Sequence, residues 1–140
     1  MSRTGRIAFL ALILAQAAHS IEEYANRLYD VLAPARFVSG LFSSDLRIGF
    51  VIVNVLLVAF GLGCFFGPVL RGARSAVALA WFWVVLEFLN GCAHITWAAS
   101  AGAYRPGLAT APVLVAIAAV LGWEMGRRSP AFQDAGRPSS

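Results

Sequence analysis

The chain has 140 residues, 59% of them hydrophobic and 13% charged, and its formal net charge at pH 7 is +4. Soluble domains average about 45–50% apolar and about 25% charged residues, so this composition excludes an ordinary soluble domain and points to an integral membrane protein. The positive charge comes from arginine alone and no basic run is interleaved with aromatic residues; this argues against a nucleic-acid partner and assigns the arginines to lipid headgroups and topology.

Four windows approach or reach the length of about 20 apolar residues needed to cross a bilayer: 7–29, 46–70, 73–100 and 107–126. The first follows Arg3 and Arg6 and stays apolar, with only Gln16 interrupting, until His19-Ser20-Ile21-Glu22-Glu23. Gln16, His19, Glu22, Glu23 and Asn26 are spaced by three, four and seven, which places them on one side of a helix. Arg3, Arg6, the apolar residues 7–14 and Ala15-Gln16-Ala17 also match a secretory signal, whose cleavage would leave three spans and a chain starting near His19. Continuation of the helical pattern through Tyr29 favours a full first span instead.

The connection 30–45 contains Pro34 and Ser43-Ser44 and reads as a loop. The second window carries Asn54 and Gly61, with Gly63 and Gly67 four apart, read as a close helix-packing surface. Cys64 lies here and Cys92 in the next span, both read as packing thiols without a disulfide. After a short turn around Arg71 and Arg74, the third window presents Glu87, Asn90 and His94 at spacings of three and seven, with Gly91 and Ala98 beside them and Trp83 and Trp97 flanking. Residues 101–106 form the last connection. The fourth window contains Thr110 and ends at Glu124, read as an interfacial ion pair with Arg127 and Arg128. The expected fold is an all-α, integral membrane four-helix bundle over residues 1–126, followed by a flexible polar tail, 127–140.

With four spans, Arg3, Arg6, Arg71, Arg74, Arg127, Arg128 and Arg137 share one side, against Arg27, Arg36, Arg47 and Arg105 on the other. The positive-inside rule then puts both termini in the cytoplasm.

At about 1.5 Å per residue, the polar residues of the first and third helices lie at the same height, in the outer half of the bilayer. Asn54 and Thr110 reach that level, and Arg105 at the head of the fourth helix is placed above it. A charge near the bilayer centre costs about 2.5–3.5 kcal/mol or more, so Glu22, Glu23 and Glu87 should face inward. Arg105 alone does not balance three carboxylates, and either shared protons or a bound cation must. Imidazole and carboxylate donors spaced three apart on facing helices suit a divalent Zn, Mn or Fe ion. The expected ligands are His19, Glu22, Glu87 and His94; Glu23 is the candidate base, and Asn54, Asn90 and Arg105 are candidate contacts to substrate or water. The leading reading is an enzyme acting on a lipophilic small molecule from the bilayer, by metal-assisted or by metal-free acid–base chemistry. An ion- or proton-coupled transporter and a noncatalytic membrane subunit are the alternatives. No phosphate-binding glycine loop, Rossmann fingerprint, H-E-x-x-H, C-x-x-C or G-x-S-x-G motif is present.

His19-Ser20-Ile21-Glu22-Glu23 opening a four-span chain resembles the bacterial integral-membrane family named for its HXXEE motif, as do Glu87-Phe88-Leu89-Asn90 with His94 and Tyr104-Arg105-Pro106-Gly107. The resemblance covers roughly residues 7–126. It implies the four-span architecture and the choice of polar residues, and no particular activity.

Overall fold

A computed structural model of the chain describes residues 1–127; the remainder of the expected polar tail, including Arg128 and Arg137, lies outside the described residues. Among the described residues the elements are six α-helices: α1 (Arg3–Ala25), α2 (Leu28–Val31), α3 (Ala33–Gly40), α4 (Leu46–Cys64), α5 (Ser75–Ala101) and α6 (Ala111–Gly126). Three are long and apolar enough to cross a membrane: α1, α4 with its continuation to Val69, and α5. The fourth, α6, has 16 residues and spans about 24 Å, shorter than the roughly 30 Å hydrocarbon layer. It starts at Ala111 because residues 102–110 are drawn into the loop that covers the polar centre.

Each boundary has a local cause. The Ser2 hydroxyl accepts from the Gly5 amide at 2.9 Å to cap α1, and donates to Glu124 at 3.0 Å, joining the start of α1 to the end of α6. At its other end α1 stops at Ala25, because Arg27 takes the left-handed conformation with φ 56° and the Asn26 side chain closes on the Glu22 carbonyl at 2.8 Å. The first helix therefore does not run through Tyr29 as its apolar pattern suggests. The expected loop 30–45 is also largely helical, with Pro34 suited to the first turn of α3. Asp45 caps α4 by accepting from the Arg47 and Ile48 amides. At Phe65–Val69 the helix widens into a π turn around Pro68, which has no N–H to donate.

Helix α1 packs against α4 and α6, and α5 packs against α6, while α1 and α5 approach each other closely at few positions. That spacing leaves room for long polar side chains between them. Phe9, Leu12, Ile13, Trp83, Leu114 and Leu121 form the centre of the main apolar core, and Leu28, Tyr29 and Phe50 form a second one. Along α1 the polar residues 16–23 fall between the two.

The glycine pattern of α4 divides in a way its spacing does not reveal. A Cβ at Gly61 would come within 2.7 Å of Ile13 and 3.0 Å of Trp83, so Gly61 makes the close packing, whereas Gly63 and Gly67 face open space. Both cysteines are free.

Candidate functional site

His19 and His94 bring their Nε2 atoms to one oxygen of Glu23. The distances to Glu23 Oε1 are 3.3 Å from His19 and 3.0 Å from His94, and the two rings meet edge to face with centroids 4.8 Å apart. His19 is 0% exposed, His94 5% and Glu23 6%, so the three are shielded together. One ligand atom from each lies within 4.8 Å of the others, a grouping able to hold a metal ion.

The opposite ring nitrogens are fixed by groups that decide where the protons sit. His94 Nδ1 lies 2.6 Å from the carbonyl of Pro106, which can only accept, so this nitrogen carries a proton and donates it. His19 Nδ1 lies 2.6 Å from the Thr110 hydroxyl, and that hydroxyl is 2.5 Å from Glu22 Oε2. The carboxylate also accepts from the Ala109 amide at 2.9 Å, the Thr110 amide at 2.8 Å and the Tyr104 hydroxyl at 2.5 Å. With Glu22 acting as acceptor throughout, Thr110 donates to it and accepts from His19 Nδ1–H. In their neutral forms both rings then present a lone pair at Nε2 toward Glu23. Lone pairs facing a carboxylate repel unless a proton or a metal cation lies between them. His19 Nε2 makes no hydrogen bond of acceptable geometry among the described residues.

Glu22 and Glu23, adjacent in sequence, thus have different surroundings. A rotation of about 100° per residue turns Glu23 toward the two histidines and Glu22 toward the loop between α5 and α6. Glu22, expected beside His19 as a ligand, is joined to it through the Thr110 hydroxyl, and the carboxylate that meets the two rings is Glu23. The contact with Glu22 pushes the Tyr104 hydroxyl up to about 12, since ionising it would place a phenolate against a carboxylate.

Gly107 closes the site from the loop. It has φ 90°, open to glycine at little cost, and a Cβ there would lie 2.5 Å from His94 Nδ1 and 2.8 Å from His19 Cε1. The Pro106–Gly107 backbone therefore rests directly against both imidazoles.

The remaining candidates take other positions. Glu87 is fully buried, seven residues before His94 on α5 and outside the cluster of three, with the Asn90 amide beside it. Asn54 accepts from Ser20 at 2.7 Å and donates to the Phe50 carbonyl at 2.9 Å. These residues share a cleft of about 420 Å³ that also reaches Glu23 and His94. Arg105 lies over the Trp97 ring at 5.2 Å rather than against the carboxylates. Thr110, Tyr104 and Pro106 are the partners that helix periodicity does not reveal; they sit on a loop 80 or so residues from α1, and the Tyr-Arg-Pro-Gly segment was the signal available for them.

A family model described as a protein of unknown function with HXXEE motif matches residues 10–121. No curated protein and no solved structure shows significant similarity to the chain.

Proposed function

We propose, for a chain that belongs to the HXXEE-motif family, that His19, His94 and Glu23 hold a divalent metal and that the site acts on a lipophilic molecule arriving from the bilayer. The observation that carries this reading is the commitment of both Nδ1 protons to acceptors, which leaves two Nε2 lone pairs and a carboxylate oxygen converging in a buried space. Two imidazoles and one carboxylate suit Zn, Mn or Fe and leave positions open for other ligands. A bound divalent ion supplies Lewis-acid activation of water or of a substrate oxygen.

The chain's own groups have distinct parts in this reading. Pro106 and the Thr110–Glu22 relay hold the two rings in one tautomer and orientation, a positioning role usual for partners behind metal-bound histidines. Gly107 and the loop exclude water from the outer side. Glu87 and Asn90 face the substrate cleft, where Glu87 can take a proton, and Asn54 helps form the wall. Arg105 and Trp97 flank the outer end of the site. The arginine distribution supports cytoplasmic termini, and residence in a bacterial inner membrane follows in this reading from the resemblance to the HXXEE-motif family.

The test is the metal content of the detergent-purified chain beside His94→Ala, Glu23→Gln and Glu22→Gln. The proposal expects metal in the wild type, loss in the first two variants and partial retention in the third. Absence of metal from the wild type even after incubation with Zn, Mn or Fe, or equal content in all four proteins, contradicts it. In that case the same geometry is held by protons, and a pH-dependent ion flux in liposomes would identify the chain as a transporter.

A further inference from the structure

Gln16 Oε1 and both carboxyl oxygens of Glu87 make no hydrogen bond of good geometry among the described residues, the Asn90 amide stands next to Glu87, and all three residues line one cleft. Gln16 is 2% exposed and Glu87 0%. The identity of the Gln16 atom follows from a chain of bonds that starts at a backbone carbonyl. Phe50 O accepts from Asn54 Nδ2, Asn54 Oδ1 accepts from the Ser20 hydroxyl, and the Ser20 oxygen accepts from Gln16 Nε2 at 3.1 Å. Gln16 Oε1 is left as an acceptor. Apart from Glu23 and His94, the cleft thus holds the Glu87 carboxyl with the Asn90 amide and no cationic side chain against it, while Leu57, Leu86, Leu89 and Phe50 supply apolar walls. Leu89, on its rim, is 62% exposed, so the mouth opens on the lipid-facing side.

A buried carboxylate with neither oxygen satisfied is costly in an apolar setting. We propose that this cleft binds the protonated primary amine of a long-chain amphiphile, the ammonium donating to Glu87 and Gln16 and the chain lying along the leucine wall. An ammonium has three donors, no acceptor and one positive charge, which suits a carboxyl and an amide oxygen that lack hydrogen bonds of good geometry. A hydroxyl brings a single donor and no charge, and a quaternary ammonium brings charge without donors. A hard metal ion at this position would need about six oxygen ligands; besides Glu87 and Gln16 the lining offers the Asn54 and Asn90 amides, Asn54 Oδ1 already accepts from Ser20, and Glu23 and His94 belong to the metal cluster. The assignment deepens the proposed function, on which it rests for treating the amphiphile as the substrate; the head-group site itself is built from atoms outside the metal cluster.

The experiment uses the full chain in a neutral maltoside detergent, first stripped of metal by a chelator and then loaded with zinc. Dodecylamine, dodecanol and dodecyltrimethylammonium are titrated, and apparent affinities are read from the dependence of the unfolding temperature on ligand concentration. The wild type should bind dodecylamine at least about tenfold more tightly than either other probe, with or without metal. Glu87→Gln should bring dodecylamine down to the level of the trimethyl compound, and Gln16→Met should weaken it by a smaller factor. Equal affinity for all three probes in the wild type overturns the proposal and leaves the cleft to water or lipid tails. Binding of Mn²⁺ that depends on Glu87, without amine selectivity, also overturns it in favour of a second metal site. Should Glu87→Gln fail to fold, the order of the three probes on the wild type decides. A chain that binds no metal but keeps the amine selectivity contradicts the metal reading alone.

Discussion

Replacing Thr110 by Val removes the hydroxyl joining His19 to Glu22 while keeping nearly the same shape. The Ala109 and Thr110 amides and the Tyr104 hydroxyl still donate to Glu22, so three of its four contacts survive and the loop stays docked on α1. What is lost is the acceptor for His19 Nδ1–H, in a residue that is 0% exposed. A buried donor without a partner costs about 1–3 kcal/mol. The ring can escape that cost by shifting its proton to Nε2, which removes the lone pair that would face a metal. Loss of such a partner behind a metal-bound histidine lowers affinity by roughly 10–100-fold, or about 1.4–2.8 kcal/mol, in the same range as the hydrogen-bond estimate. The assay is competition for zinc between the purified chain and a chromogenic chelator, with thermal unfolding as the check on folding. Thr110→Ser should restore most of the affinity because it returns the hydroxyl. Wild-type zinc affinity in a folded Thr110→Val chain, or failure of the serine to rescue a folded protein, would refute the relay.

Tyr104 offers a pH test outside the spans. Its folded value of about 12 exceeds the ordinary tyrosine value of about 10, so the stabilisation linked to it is complete below pH 10 and is lost as pH rises through 12. In Glu22→Gln the tyrosinate absorbance attributed to Tyr104, assigned by difference from Tyr104→Phe, should appear at lower pH; an unchanged midpoint would contradict the contact. Gly107→Ala places a methyl group against both imidazoles at a positive φ, and should cost about 1–3 kcal/mol of stability and most of the metal affinity. A variant with wild-type unfolding and zinc binding would show that the loop does not rest on the rings. For topology, Ser43→Cys in a background with Cys64 and Cys92 replaced by Ala should react with a membrane-impermeant maleimide added outside intact bacterial spheroplasts. Protection there, with labelling only after lysis, would place the α3–α4 connection in the cytoplasm.

The all-helical architecture, with apolar helices long enough to cross a membrane, was legible because helix length and apolar composition are local properties. The spacing of Gln16, His19, Glu22 and Glu23 also disclosed a polar face on α1, and Glu87, Asn90 and His94 disclosed its counterpart on α5. Period alone places Glu22 and Glu23 on the same broad face and gives no ground for taking Glu22 as ligand and Glu23 as base; the docking of the α5–α6 loop separates them and turns Glu23 to the histidines. The break at Arg27 escaped the pattern because no glycine or proline marks it, and a left-handed arginine carries no strong local signal. Helices α2 and α3 were likewise hidden in a segment whose proline and serines suggested a loop. Gly61, Gly63 and Gly67 look alike along the chain, yet only tertiary packing decides that the first abuts Ile13 and Trp83.

X-ray absorption at the zinc edge of the zinc-loaded chain examines the donor set itself. Two imidazole nitrogens at about 2.0–2.1 Å, recognised by the multiple scattering of their rings, together with oxygen ligands, are the expected first shell, and His94→Ala should remove one ring. A shell of oxygen alone, or one whose imidazole signal is the same after His94→Ala, would contradict metal binding by His19, His94 and Glu23.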